Sequence, residues 1–241
     1  MPSRLRTLIL VLLVLSFGVP AAAAEKSLVF GRAADSTFLD PAKYLDNESA
    51  MVIENIFEGL VRYADDSTRI EPALAESWET SPDGLVWTFH LHSGVHFSDG
   101  TPCDAAAAAF SFSRRIDPGN PFFHEEFTRM DSSLKNIASV QAVDSLTFRI
   151  TLREPYAPLL STLATHSSYL VSPAAVRTWG DDFDKHPVGA GPFVFASWTP
   201  GERIELVANP DYYRGRPRVD RVVFKVRSEE HTSELQSRFG I

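Results

Sequence analysis

Residues 73–92 read ALAESWETSPDGLVWTFHLH, and the reading of this stretch decides the fold. Ser77, Trp78 and Glu79 form one predicted strand. Ser81, Pro82, Asp83 and Gly84 are turn chemistry, and Val86 to Leu91 form the return strand of a hairpin. Thr88, His90 and His92 alternate with Phe89 and Leu91, so one face of the return strand is predicted to be wet. Working outward, Ser98, Asp99, Gly100, Thr101 and Pro102 make another turn. Asp104 is then the N-cap of an alanine-rich helix over 105–115.

The flanks mix both periods. Residues 27–33 (SLVFGRA) read as a short buried strand, followed by the loop ADSTFLDP. In 47–60, Met51, Val52, Ile56, Phe57 and Leu60 share one helical face, with Gly59 as the expected C-cap. Residues 60–63 return as a short strand. Residues 137–152 predict two strands joined at 143–145, because Leu146, Phe148, Ile150 and Leu152 alternate with Thr147, Arg149 and Thr151. Short helices are predicted at 157–164 and 173–179. A Gly/Pro loop at 187–192 leads into a hairpin of 193–198 and 203–207 around Pro200 and Gly201. A helical turn at 209–213 precedes a last strand at 221–226. Strands and helices alternate irregularly, which points to mixed α+β lobes of the α/β class.

Both ends read as something other than fold. Arg4 and Arg6 precede the apolar run LILVLLVL, and residues 21–24 are four alanines. This is the layout of a secretory signal peptide cleaved after Ala24. The run is shorter than the roughly 20 apolar residues a membrane span needs, and Glu25 stands where a lipoprotein would have cysteine. Export to the periplasm is therefore expected. At the other end, 227–237 reads RSEEHTSELQS, polar and without period. It resembles the conceptual translation of a widely used sequencing-adapter read, so 227–241 is expected to be an artefact and the natural protein to continue beyond Val226.

Residues 25–226 are then the segment that folds. Without Arg4, Arg6, Arg227 and Arg238, and without Glu229, Glu230 and Glu234, the 23 basic and 31 acidic residues become 19 and 28, a net charge of −9. Nucleic acid is excluded as a partner, since it calls for a basic face. A single cysteine, Cys103, rules out an internal disulfide and a thiolate metal cluster.

Several strings together, TFLDPAKY, NIFEGLVRY, the 71–102 block containing WETSPDGLVWTFHL and GVHFSDGTP, VDSLTFRITLREPYAPLLSTLA, and the run from PVGAGPFVF through NPDYYRG to VVFKV, resemble the family-five extracellular solute-binding proteins. These are receptors for dipeptides, oligopeptides, nickel and related solutes. The resemblance implies a periplasmic-binding-protein-like type II architecture. Here it would supply the first lobe, with a β-rich insertion over about 60–186 and without the second lobe. It also implies a receptor that closes around a peptide, passes it to an ABC permease in the inner membrane, and works as a monomer without cofactor or metal. Within the family, the acidic residue that meets a peptide's amino terminus lies in the second lobe.

In this chain the loop after the first strand is the main candidate site, namely Ala33, Ala34, Asp35, Ser36, Thr37 and Phe38. It corresponds to the segment from which family members reach the solute, partly through backbone groups, which suits reading of varied peptides by their main chain. His166 and Ser168, in the loop HSSY, are a second candidate. Trp78 and Trp87 are expected to pack structurally. Gly189 and Gly191 in GAGP lack the third glycine of a phosphate loop, and Pro192 removes an amide donor, so a backbone turn is the expected role.

No catalytic residue is expected. There is no G-x-S-x-G elbow, and His124-Glu125-Glu126 lacks the second histidine of H-E-x-x-H, which sets a secreted hydrolase aside. Among receptors of this kind, a nickel chelate, haem, glutathione, an opine or an oligosaccharide remains open as the solute.

Overall fold

In a computed structural model, the structure describes residues 25–227 apart from 126, 127 and 129–133. The expected signal peptide and nearly all of the adapter-like tail lie outside the described residues.

Among the described residues, ten strands make three sheets. Strands β1 (Ser27–Arg32), β8 (Phe193–Thr199), β9 (Arg203–Ala208) and β10 (Arg221–Val226) form one sheet in the order β1-β10-β9-β8. The β1–β10 pairing is parallel and the others antiparallel. Strands β4 (Ala75–Thr80), β5 (Val86–Leu91), β6 (Ile137–Ala142) and β7 (Thr147–Leu152) form a second, wholly antiparallel sheet in the order β4-β5-β7-β6. A two-stranded ribbon, β2 (Val61–Tyr63) and β3 (Ile70–Pro72), lies between them in sequence.

The hairpin that opens the sequence reading forms as expected. The Gly84 amide donates to Ser81 O at 2.8 Å, and Gly84 itself has φ 72°, the left-handed value that glycine adopts without a Cβ clash. Asp83 Oδ1 accepts from the Leu85 amide at 3.1 Å and fixes the turn before the return strand starts. Thr88 departs from the expected wet face: it is buried, whereas His90 is exposed.

Helix α2 (Ala105–Ile116) packs on β6 and β7. Its Asp104 cap accepts from the Ala107 amide at 2.9 Å. Ala105, Ala107 and Ala108 are almost fully buried. Their small side chains let the helix backbone approach the sheet, so that Phe112 stacks on Phe148 at 5.4 Å, with Phe89 beyond it. Each such buried ring contributes roughly 2–3 kcal/mol by leaving water. Trp78 and Trp87 are partly buried against the same core.

A second core lies against the first sheet. Helix α1 (Asn47–Ile56) contributes Val52, Ile53 and Ile56, helix α4 (Pro173–Trp179) contributes Ala175 and Val176, and Phe183, Ile204, Leu206 and Phe224 complete it. Between the second sheet and α4 runs a short helix α3 (Leu159–Leu163) followed by a 3-10 turn at His166–Ser168.

Three expectations are corrected. The first strand is exposed rather than buried: Leu28, Val29 and Phe30 are 44%, 60% and 45% exposed, and among the described residues it lies at the sheet edge, paired on its β10 side alone. Helix α1 ends at Phe57, whose backbone is extended, so Gly59 is not its cap and Leu60 belongs to the other core. The 209–213 segment is a pair of turns, not a helical one. Asn209 Oδ1 accepts from the Asp211 amide at 3.0 Å and diverts the chain.

Candidate functional site

The loop after β1 is tied down from inside. Arg32, 4% exposed, donates to Ser36 Oγ at 2.8 Å and to Glu48 O at 2.9 Å. Asp35 Oδ1 accepts from the Ser36 amide at 2.9 Å and from Arg32 at 3.2 Å. Asp35 Oδ2 accepts from Trp198 Nε1 at 3.0 Å and from the Gly201 amide at 2.7 Å. One carboxylate thus fastens the loop to the β8–β9 hairpin. The amides of Thr37 and Phe38 both donate to Ser49 Oγ, and Thr37 Oγ1 donates to Asp46, the cap of α1. Ala33, Ala34 and Thr37 are exposed, Asp35 and Phe38 half-buried, and Ser36 buried.

His166 stands elsewhere, on the rim of a cavity of about 650 Å³. Its ring is edge-on to Tyr44 at 5.8 Å and to Tyr169 at 5.4 Å, and its Nε2 lies 3.4 Å from Glu54 Oε2. Ser168 turns inward. It is 3% exposed and its hydroxyl donates to Thr162 O at 3.2 Å. The 33–38 loop does not line this cavity; Thr37 borders a separate depression beside Trp198 and His186. Arg115 Nη1 donates to Pro41 O at 3.3 Å, just beyond the 33–38 loop, and to Ser167 O at 3.1 Å. The neighbouring Arg114 pairs with Asp40, both side chains at most 3% exposed. The last turn of α2 therefore holds the 40–44 turn, and with it Tyr44, beside His166.

The cavity floor is built around Glu58. This carboxylate is 8% exposed and accepts from the hydroxyls of Tyr212, at 3.1 and 3.3 Å, and of Tyr213, at 3.2 Å. Arg214 Nη1 lies 3.7 Å away. Burial pushes the Glu58 carboxyl up to about 6, and the two tyrosines and Arg214 only partly offset that. Tyr212 and Tyr213 are pushed up as well, first by burial and then by the Glu58 charge. The wall is completed by Glu54, Asn55, Arg62, Tyr63 and Asp65.

Sequence reasoning reached His166 but not Tyr44, Glu54 or Glu58. The signal was present in part, since Asn47, Glu54, Asn55 and Glu58 are among the polar residues of the predicted 47–60 helical period. Tyr212 and Tyr213 read as a polar surface turn because nothing local shows that their hydroxyls turn inward to a residue 154 and 155 positions earlier.

The Glu58 geometry has a measurable consequence. A carboxyl whose value rises from 4.5 to about 6 on folding favours the fold fully below about 4.5. That contribution is lost as pH rises through about 6, amounting to about 2 kcal/mol. Glu58→Gln keeps an oxygen acceptor for the tyrosines and cannot ionise. Urea denaturation of both proteins at pH 4.5 and 7.5 should show the variant gaining about 2 kcal/mol on the parent across that interval. A difference that stays constant with pH contradicts this account.

The family model for bacterial extracellular solute-binding proteins, family 5, matches residues 69–238, well over half of the chain. This chain belongs to that family. The matched family segment runs into the 227–241 tail. Among curated relatives, the chain is 36% identical over 240 residues to the "Probable D,D-dipeptide-binding periplasmic protein DdpA" of Escherichia coli K12, covering 95% of this chain and 45% of the relative. It is 30% identical over 218 residues to the glutathione-binding protein GsiB of Escherichia coli O1:K1, covering 90% and 41%. The solved ABC transporter-associated periplasmic binding protein DppA of Helicobacter pylori, in complex with the peptide STSA, superposes with a TM-score of 0.75 at 35% identity, over 89% of this chain and 45% of that one. The family-5 chain thus spans less than half the length of the relatives it matches, and its mixed sheet-and-helix fold is that of the first part of a type II periplasmic binding protein.

Proposed function

We propose that the chain forms the first-lobe part of the periplasmic solute-binding component of an ABC importer, which captures di- or oligopeptides and delivers them to an inner-membrane permease. The observation that carries the reading is the 35% identity, at a TM-score of 0.75, to a binding protein solved with a peptide. In the same reading the protein is not an enzyme, works as a monomer without cofactor or metal, and is exported by residues 1–24. The 227–241 tail is read as foreign to the natural protein, and 60–186 as an insertion in the lobe.

Two surfaces of the lobe would meet the solute. One is the rim of the tyrosine-walled cavity, with His166 at the surface and Ser168 bracing the turn behind it. The other is the exposed part of the 33–38 loop, where Ala33, Ala34 and Thr37 are accessible while the carboxylate of Asp35 is committed to the β8–β9 hairpin. Closure around a solute needs both lobes of such a receptor.

Glutathione is the second reading, favoured by the 30% identity to a glutathione-binding protein. The full-length gene product purified without refolding should carry its solute, and mass spectrometry of the released small molecules identifies it. Peptides that also raise the melting temperature support the first reading. Glutathione, a metal chelate or a sugar in their place, with no thermal shift by peptides, overturns it.

A further inference from the structure

The charges around the cavity do not balance evenly. Arg62 is held by Glu71 at 3.1 Å and Asp65 at 3.2 Å, and Arg214 faces Glu58 at 3.7 Å. Glu54 differs. It is half-exposed on the outer side of α1, and among the described residues no lysine or arginine comes within ion-pair distance of it. Among the described residues its charged-type partner is His166, at 3.4 Å. That imidazole is in turn packed edge-on between Tyr44 and Tyr169.

A carboxylate beside two tyrosine rings, open to a cavity of solute size, is the chemistry that recognises an organic cation. The carboxylate supplies charge, and the two tyrosines line the same cavity, where an aromatic ring offers a quadrupole that ammonium and guanidinium groups use and neutral or anionic groups do not. The tyrosines are also held where such a site needs them. Tyr44 is fixed by the turn whose amides at Lys43 and Tyr44 donate to Asp40 O, and Tyr169 by its own amide donating to His166 O at 3.1 Å. Glu54 is not needed to hold a core together, since Val52, Ile53 and Ile56 fill that role on the opposite side of α1, whereas Tyr44 and Tyr169 pack partly against that same core, which fixes their rings.

We propose that Glu54, His166, Tyr44 and Tyr169 form a specificity subsite for a cationic group of the bound solute, an ammonium or guanidinium, with Glu54 as the discriminating charge. The proposal rests on the reading of the cavity rim as solute-facing, and its test separates the two. Calorimetry with the full-length protein compares alanyl peptides of two to five residues carrying one lysine, at each position in turn, with their norleucine counterparts. The parent should bind one of the cationic forms about five- to tenfold tighter than its uncharged partner. Glu54→Gln should remove that ratio and leave the uncharged peptide within about twofold, and Glu54→Lys should invert it. If Glu54→Gln leaves every charged-to-neutral ratio unchanged, or weakens both members of a pair alike, the subsite falls while the peptide reading stands. If no peptide binds, the peptide reading falls. The same variants are then measured on the solute found by mass spectrometry: selective loss of a cationic solute supports the subsite, and unchanged binding overturns it.

Discussion

Arg114→Ala should lower the unfolding free energy by about 3–5 kcal/mol, among the largest effects of any single change in this lobe. The Asp40 carboxylate is 1% exposed and its Arg114 partner 3%. Removing the guanidinium leaves a buried charge with no cation, and the penalty is the desolvation of that charge more than the lost attraction. Asp40 Oδ1 also accepts from the Ala42 amide at 2.9 Å, and the Asp40 carbonyl accepts from Lys43 and Tyr44. The whole 40–44 turn is therefore organised on this residue. Arg114 also lies over the Phe183 ring at 5.6 Å, so truncation opens the adjoining core. Because the pair is out of water, the effect should hardly change with salt. Combining Asp40→Leu with Arg114→Met removes both charges and should lose less than Arg114→Ala alone. Urea denaturation of the three proteins decides it. A loss under 1 kcal/mol for Arg114→Ala, or a double variant weaker than the single one, sinks the claim.

That pair also marks where the sequence stops being readable. The hairpin around Gly84 is visible because turn chemistry and strand alternation are local, and all the information lies within 20 residues. The alanine-rich helix is visible for the same reason, with Asp104 as its cap. Long-range polar contacts have no such signature. Arg114 and Arg115 look like the basic last turn of a solvated helix, yet both are buried and reach 74 residues back to Asp40 and Pro41. The edge position of β1 is equally hidden, because an apolar run predicts a strand without saying how many neighbours it will have. At the candidate site, His166 stood out as a polar residue in a loop. Glu54 and Glu58 read as the polar side of the predicted 47–60 helix, where a solvated charge is the ordinary expectation, although α1 ends at Ile56. Asp35 reads from its loop as a candidate for the solute, and only the fold shows that its carboxylate accepts from Trp198 and Gly201.

The second large effect is expected at Gly189, and its cause is contact rather than backbone freedom. The segment GAGP passes so close to the end of α1 that a Cβ on Gly189 would lie 2.2 Å from Ile56 O and 2.7 Å from Phe57 Cδ1. Neither can retreat easily. The Ile56 carbonyl is held by the Gly191 amide at 2.9 Å, and the Gly189 carbonyl is held by the Ser98 amide at 2.9 Å. Gly189→Ala must therefore move one backbone against another, at a cost of about 3 kcal/mol. Gly201 is the control. It has φ 76°, with nothing within 4 Å of its would-be Cβ, so Gly201→Ala carries only the left-handed strain of about 1–2 kcal/mol. The two differ further in reach. A shift at Ile56 propagates within two residues to Glu58 on the cavity floor, whereas Gly201 sits on the far hairpin. Gly189→Ala should consequently flatten or displace the pH dependence that Glu58 gives to stability, and Gly201→Ala should leave it intact. Denaturation midpoints at pH 4.5 and 7.5 test both statements. If Gly189→Ala proves no more damaging than Gly201→Ala, the close approach of the two backbones is not what requires glycine there.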